Sequence, residues 1–249
     1  MLRISAWVLC ATVLLSSCGQ PSPDSKLTVA AAANLVNVFD EVGRAFKANT
    51  GIDVIFSYGS TAQLAQQIEH GAPFDVFAAA DTEHIDSLIA RKKLTADSRA
   101  VYALGQLVLW IPNEASGVRT MQDLAGSRVR FIAIAQPELA PYGRASVEAL
   151  KHSGLWEGVR SKVVYATNIN QAKQMAQSEN ADATFTAYSL VLHERGSIVK
   201  IDPALYQRIE QGLGIAAGSP RQKAASRFRE FLLGTEGRSI LGKSGYILP

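Results

Sequence analysis

The segment Leu27-Thr28-Val29-Ala30-Ala31-Ala32-Ala33-Asn34-Leu35 decides how the chain is read. Leu27, Thr28 and Val29 suit a pleated, buried surface and predict a strand. The alanines that follow leave room for something to approach the backbone. From Leu35 the period changes. Leu35, Val38, Phe39, Val42 and Phe46 recur at i, i+3, i+4, i+7 and i+11, one face of an amphipathic helix. Asn34 therefore stands where a buried strand turns directly into a helix. As an N-cap, its side-chain oxygen would accept from a first-turn N–H, leaving its NH2 free to point outward. Backbone N–H groups at a helix start, with the positive end of the dipole behind them, favour an anion. An ordinary strand–helix turn without a ligand satisfies the same residues, so the rest of the chain must decide.

The arrangement recurs downstream. Residues 52–56 form a second apolar strand, Ser57-Tyr58-Gly59-Ser60-Thr61 follows, and Leu64, Ala65 and Ile68 take helical spacing. Residues 75–80 read as a third strand, with Asp81 capping a helix through Ile85, Leu88 and Ile89. Such alternation with largely apolar strands predicts a parallel sheet covered on both faces. The β-rich run 101–111, broken at Gly105, is long enough to pass from one domain into another. A second α/β set then appears. Its strands fall at 129–134, 162–165, 183–186 and 197–201, and its helices start at Ala140-Pro141-Tyr142-Gly143 and Thr167-Asn168. Gly212-Leu213-Gly214-Ile215-Ala216-Ala217 reads as the return crossing, and Gly212-Leu213-Gly214 with Gly105 as the hinge. Ala224, Phe228, Phe231 and Leu232 mark a last helix closed by Gly234, before an extended tail from Gly245. The expectation is an α/β protein of two doubly wound lobes, 27–105 with 213–249 and 106–212, joined by two crossing strands with a cleft between. Ligands of such sheets sit at the carboxyl ends of strands, beside helix starts. Suitable groups stand at Asn34, at Ser60-Thr61, at the Pro141-Tyr142-Gly143 turn and at Asn168-Ile169. At roughly +0.5 charge for each of these helix starts, the sum of about +2 matches a dianion without any Lys or Arg.

Length and composition agree with this reading. The 249 residues allow one large domain or two ordinary ones. A content of 47% hydrophobic and 19% charged residues is that of a soluble globular chain. The net charge of +3 comes from scattered basic residues. There is no basic stripe with interleaved aromatics, so no nucleic-acid partner is expected. Arg3, the apolar run from Ile4 to Leu15 and then Ser16-Ser17-Cys18 read as a secretion signal. The run is too short to span a bilayer, which takes about 20 apolar residues. Leu15-Ser16-Ser17-Cys18 resembles a bacterial lipobox. That resemblance implies a signal at 1–18, a tether at 19–26, and a protein of the periplasm or cell envelope anchored to a membrane through a lipidated Cys18. The other cysteine, Cys10, lies inside the signal, so the mature chain cannot form an internal disulfide.

Taken in order, Ala31-Ala32-Ala33-Asn34-Leu35, Tyr58-Gly59-Ser60-Thr61, the run from Gly71-Ala72-Pro73 to Asp81, and Ala140-Pro141-Tyr142-Gly143 resemble the substrate-binding protein of molybdate ABC transporters. The resemblance runs from Leu27 to Pro249. It implies the type II periplasmic-binding-protein fold and a monomer. It implies binding of molybdate or tungstate and delivery to a membrane permease, with no enzymatic activity and no cofactor. Ala33 and Asn34 would donate from the first turn, and Ser60 or Thr61 through N–H and hydroxyl. Tyr142 and Ile169 would donate through main-chain N–H. Molybdenum would thus be held as its oxyanion through Asn34, Thr61, Tyr142 and Ile169. Many members have Ser where this chain has Asn34. The tyrosine that some members use falls at Ala187 here, with Tyr188 one residue late, and a one-residue shift on a strand points to the other face.

The same residues also admit other classes. Asp75 and Asp81 could act as acid and base, yet one opens a strand and the other caps a helix. His70, His84, His152 and His193 show no metal-ligand spacing. Gly237-Arg238-Ser239-Ile240-Leu241-Gly242-Lys243-Ser244 fits the phosphate-loop formula by letter but lacks a strand before it and a helix after it. A site for sulfate, phosphate or a small carboxylate is the remaining alternative. Arg144 is the candidate for a bidentate carboxylate clamp, against its reading as a solvated first-turn residue.

Overall fold

A computed structural model describes residues 26–249. The expected secretion signal, Cys18 and most of the expected tether lie outside the described residues.

The first half of the chain builds β1 (Lys26–Ala32), α1 (Val36–Thr50), β2 (Asp53–Gly59), α2 (Thr61–Glu69), β3 (Val76–Ala78), α3 (Glu83–Ala90) and β4 (Ala100–Gly105). It then passes directly into β5 (Leu107–Ile111), β6 (Ile132–Ala135), α4 (Pro141–His152), α5 (Trp156–Val159), β7 (Val163–Ala166), α6 (Ile169–Gln177), β8 (Ala183–Ala187), α7 (Tyr188–Val191) and β9 (Ser197–Lys200). The last part is β10 (Ile209–Ile215), α8 (Gln222–Leu233) and α9 (Thr235–Lys243). Two five-stranded sheets result, ordered β2-β1-β3-β10-β4 and β7-β6-β8-β5-β9.

This is the two-domain type II binding-protein architecture, and neither sheet is wholly parallel. β1, β2 and β3 run parallel, as do β6, β7 and β8. β10 is antiparallel to β3 and β4, and β5 is antiparallel to β8 and β9. The reason is topological: β5 and β10 enter their sheets from the other domain, and so arrive from the opposite end.

The crossing out falls at Gly105–Gln106, between β4 and β5. The return does not fall at Gly212-Leu213-Gly214. All of β10 pairs in the first sheet, Ile209 to Leu213 with β4 and Leu213 to Ile215 with β3. A boundary between 212 and 213 would cut that strand, so the chain has returned before Ile209. Gly212 serves close packing instead. A Cβ there would lie 2.6 Å from the Asp81 carbonyl oxygen and 2.8 Å from Ile85.

α1 buries Val38, Phe39, Val42 and Phe46, the face that its spacing predicts. Phe39 meets Phe56 at 5.3 Å between ring centres, and Phe46 meets Phe228 of α8 edge-on at 5.3 Å. Gly234 closes α8 as expected, but α8 is not the last helix. α9 follows at once and buries Ile240 and Leu241. The letters of the phosphate-loop formula therefore lie on α9 and its C-cap, where the backbone N–H groups serve the helix. Among the described residues no helix is long and apolar enough to cross a membrane.

Candidate functional site

Four helix starts, two from each domain, converge on one cavity. It is lined by Ala32, Ala33 and Asn34 after β1, and by Gly59, Ser60 and Thr61 between β2 and α2. Ala80 after β3, Ala140, Pro141 and Tyr142 at the start of α4, and Asn168 and Ile169 at the start of α6 complete it. Ala33, Asn34, Ser60, Thr61, Tyr142 and Ile169 are thus all brought to one place. None of the lining residues carries a charge. The cavity is small, about 10 Å³ of water-sized space against about 430 Å³ for an apolar cavity behind the crossing strands, so size does not single it out. Its chemistry does. The first N–H groups of each helix have no intrahelical partner, and each helix end brings partial positive charge.

The individual groups are arranged as follows. Thr61 Oγ1 accepts from the Ala80 N–H at 3.1 Å, which leaves the hydroxyl proton to donate. Ser60 Oγ donates to Gln63 Oε1 at 2.8 Å, tightening the first turn of α2. Asn168 caps α6 by accepting from the Gln171 N–H at 2.9 Å, which places Ile169 at the first helical position. Tyr142 sends its ring away from the cavity: a Cβ on Gly105 would sit 2.2 Å from its hydroxyl. Its main chain is what remains for the cavity. The Ala62 N–H donates to the Leu139 carbonyl at 3.1 Å, a bond from one domain to the other at the rim.

Asn34 departs from the expectation. It lies in a 3-10 turn, Ala33–Leu35, and Leu35 is the N-cap of α1, with no side-chain capping bond. The tight turn after β1 draws the Asn34 side chain inward, where it is 1% exposed. Its Nδ2 is not free. It donates to Gln211 Oε1 at 2.9 Å and to Tyr246 Oη at 2.8 Å. The Asn34 carbonyl accepts from Tyr246 Oη at 3.0 Å and from Ser189 Oγ at 3.2 Å. Gln211, Tyr246 and Ser189 were not legible as site residues. They lie 177, 212 and 155 positions from Asn34, and no local pattern links them. Burial pushes the hydroxyls of Tyr102, Tyr142 and Tyr246 upward from the ordinary tyrosine value, so all three stay neutral.

Groups considered for other chemistries are otherwise engaged. Arg144 reaches across to the first domain, to Glu83 at 3.0 Å and Asp81 at 3.4 Å, and is neither a free clamp nor merely solvated. Asp81 also accepts from the His84 N–H at 3.1 Å at the start of α3. The hydrogen bond to Asp81 is the main reason that the His84 ring titrates above its ordinary value. Asp75 is buried within a set of hydrogen bonds at the other end of β3. Tyr188 opens α7 and does not line the cavity; Lys200 lies over its ring, 5.3 Å from the centre. Among the described residues no group of three or more His, Cys, Asp or Glu could hold a metal ion.

Two mixed α/β domains joined by two crossings, with an uncharged pocket at their facing helix starts, define a two-domain solute-binding protein. The chain belongs to the bacterial extracellular solute-binding protein family, whose model matches residues 27–247. It is 32% identical to the molybdate-binding protein ModA of Rhodobacter capsulatus, over 95% of this chain and 94% of that one. It is 33% identical to the molybdate-binding protein ModA of Azotobacter vinelandii, over 89% and 90%. The solved Azotobacter vinelandii periplasmic molybdate-binding protein superposes with a TM-score of 0.87 at 30% identity, over 90% of this chain and 99% of that one.

Proposed function

We propose that this protein captures molybdate or tungstate in the cavity between its domains and delivers it, as a monomer, to the membrane permease of an ABC transporter. The observation that carries the reading is the convergence of helix starts from both domains on one uncharged cavity. Asn34, Thr61 and the main chain at Ala33, Ser60, Tyr142 and Ile169 are the donors, the Ser60 hydroxyl being given to Gln63. A tetrahedral dianion held this way needs no cation, because the helix ends supply the positive field. The similarity to molybdate-binding proteins supports the choice of anion. A carboxylate ligand is disfavoured because Arg144 is committed to Glu83 and Asp81.

Neutral donors fixed on two domains select by distance. Sulfate is smaller than molybdate and cannot reach all of them together, and each buried donor left unmet costs about 1–3 kcal/mol. Calorimetry should therefore show binding of molybdate and tungstate and none of sulfate at the same concentrations. Comparable affinities for sulfate and molybdate would refute the assignment. Melting curves with each anion give a second readout, since a ligand of the folded state raises the midpoint by mass action.

The leader supports attachment through Cys18. A lipid there acts as an anchor and takes no part in the site. Cys18→Ser should leave oxyanion affinity unchanged and release the protein from the membrane fraction. A parent protein whose mature mass carries no lipid would overturn the anchor.

A further inference from the structure

Behind the cavity is a buried polar cluster with three atoms that have no partner: Asn34 Oδ1, Gln211 Nε2 and Tyr142 Oη. Their residues are 1%, 0% and 1% exposed. Tyr142 Oη and Gln211 Nε2 crowd one point, since a Cβ on Gly105 would lie 2.2 Å from the first and 2.9 Å from the second. The Gln211 amide lies close enough to oppose slightly the rise that burial gives the Tyr142 hydroxyl, yet no well-formed hydrogen bond joins them. Buried polar atoms are almost always paired, so three orphans in one cluster point to a specific rearrangement.

Turning two carboxamides pairs all three and leaves the Asn34 NH2 as the one donor without a protein partner. A half-turn of a carboxamide exchanges its nitrogen and oxygen while every other atom stays in place. Let both Asn34 and Gln211 turn. Gln211 Nε2 then donates to Asn34 Oδ1 across the 2.9 Å that now separates Asn34 Nδ2 from Gln211 Oε1. Gln211 Oε1 comes to face the Tyr142 hydroxyl, which donates to it. Tyr246 Oη, at 2.8 Å, donates to Asn34 Oδ1, and Ser189 Oγ still serves the Asn34 carbonyl. Asn34 Nδ2 takes the position away from this network, on the side of the cavity that Asn34 lines.

We propose that the oxyanion-binding state has both carboxamides turned in this way, making Gln211 the positioning residue that aims the Asn34 NH2 at the ligand. The chain of donors runs from Tyr142 to Gln211 to Asn34 to the oxyanion. Tyr142 comes from α4 of the second domain, and Gln211 lies on β10 in the first sheet. The chain is therefore complete only when the domains are together, which couples closure to the orientation of one donor. Gly105 is required because any side chain would occupy the point where Tyr142 and Gln211 meet. The inference rests on the reading of the cavity as an oxyanion site.

The test titrates molybdate into the mature protein and into Gln211→Met, Tyr142→Phe and the double variant, with the apo melting curve of each. Gln211→Met should weaken binding by about tenfold or more, the scale of one lost buried hydrogen bond. Tyr142→Phe should weaken it by a smaller factor. The double variant should be no weaker than Gln211→Met alone, because Tyr142 acts through Gln211. A merely structural pair would instead give additive losses that follow the melting temperatures. Nitrogen-15 spectra of the parent provide a readout independent of variant folding. The Asn34 NH2 pair, assigned by its loss in Asn34→Asp, should shift strongly on adding molybdate. A parent that binds molybdate while Gln211→Met stays within about threefold, or while the Asn34 NH2 signals do not move, overturns the relay alone. A parent that binds no oxyanion overturns the reading of the cavity and the relay with it.

Discussion

Asn34→Asp should abolish tight oxyanion binding and leave the fold standing. The substitution changes one NH2 into a carboxylate oxygen at a position 1% exposed. A donor is lost and a negative charge is placed against a dianion. Two unit charges in close contact interact by about 4 kcal/mol at an effective dielectric near 20, and here one partner is doubly charged. Protonation of the new carboxyl or a shift of the ligand relieves part of this, so a loss of about 10³-fold or more is expected, roughly 4 kcal/mol. The fold does not rest on this residue as a helix cap, because Leu35 caps α1. In the apo protein the Tyr246 hydroxyl, 2.8 Å from the Asn34 amide, can turn its proton from the Asn34 carbonyl to the new carboxylate, and Gln211 must turn its amide nitrogen toward it. The dianion raises the pKa of the introduced carboxyl in the complex. The protonated form resembles the parent amide in charge, so affinity should recover as pH falls through that raised value. Calorimetry at neutral and mildly acidic pH, beside the apo melting curves, reads both effects. Binding within about tenfold of the parent at neutral pH, or 1.4 kcal/mol, would show that Asn34 does not face the anion.

How far the sequence discloses such a site depends on whether the signal is local. The turn from β1 into α1, the spacing of Val38, Phe39, Val42 and Phe46, and the helix starts at Thr61, Pro141 and Ile169 are set within a few residues, and they are legible. That these starts share one cavity follows from the rule for strand ends in α/β sheets. The partners of Asn34 are not legible, because Gln211 and Tyr246 reach it only through the assembled first domain. The orientation of Asn34 is not legible for a related reason. A tight turn ahead of α1 moves the cap to Leu35 and turns the amide inward. α9 was hidden by Gly237 and Gly242, poor helix residues whose cost is offset by the burial of Ile240 and Leu241. At β10, glycines that read as a crossing are explained by the close approach of Asp81 and Ile85 to Gly212 and of Leu94 to Gly214. Arg144 shows the limit most plainly. Its role depends on Glu83 and Asp81 across the cleft, and no spacing along the chain encodes that pairing.

Asp75→Ala should produce the reverse pattern, a large loss of stability with little change in oxyanion affinity. Asp75 is 1% exposed and ties three segments together. Its Oδ2 accepts from the Thr28 N–H and the Thr28 hydroxyl, both at 2.8 Å. Its Oδ1 accepts from Ser219 Oγ at 2.6 Å and faces the Arg221 guanidinium at 3.5 Å. Its main chain pairs with Thr28 and Ala216 at 2.9 Å each. Removing the carboxylate leaves buried donors on β1 and after β10 without their acceptor, together with a cation that has lost a partner. Each buried donor left unmet costs about 1–3 kcal/mol, and the Thr28 N–H and the Ser219 hydroxyl both lose their acceptor, on the order of 3–5 kcal/mol together. For a chain of this size each kcal/mol moves Tm by about 2–4 °C, so a fall of roughly 6–20 °C is expected. The site should be spared because Asp75 precedes β3, while Ala80, beyond the other end of that short strand, lines the cavity. Asp75→Asn should fall between parent and Ala, since an amide oxygen can still accept from Thr28 while its nitrogen cannot accept from Ser219. Thermal melts and molybdate titrations on both variants decide the matter. A Tm within about 2 °C of the parent, less than 1 kcal/mol, would show that the buried carboxylate does not hold these segments together. A lost affinity at unchanged Tm would place Asp75 in the site rather than in the frame that supports it.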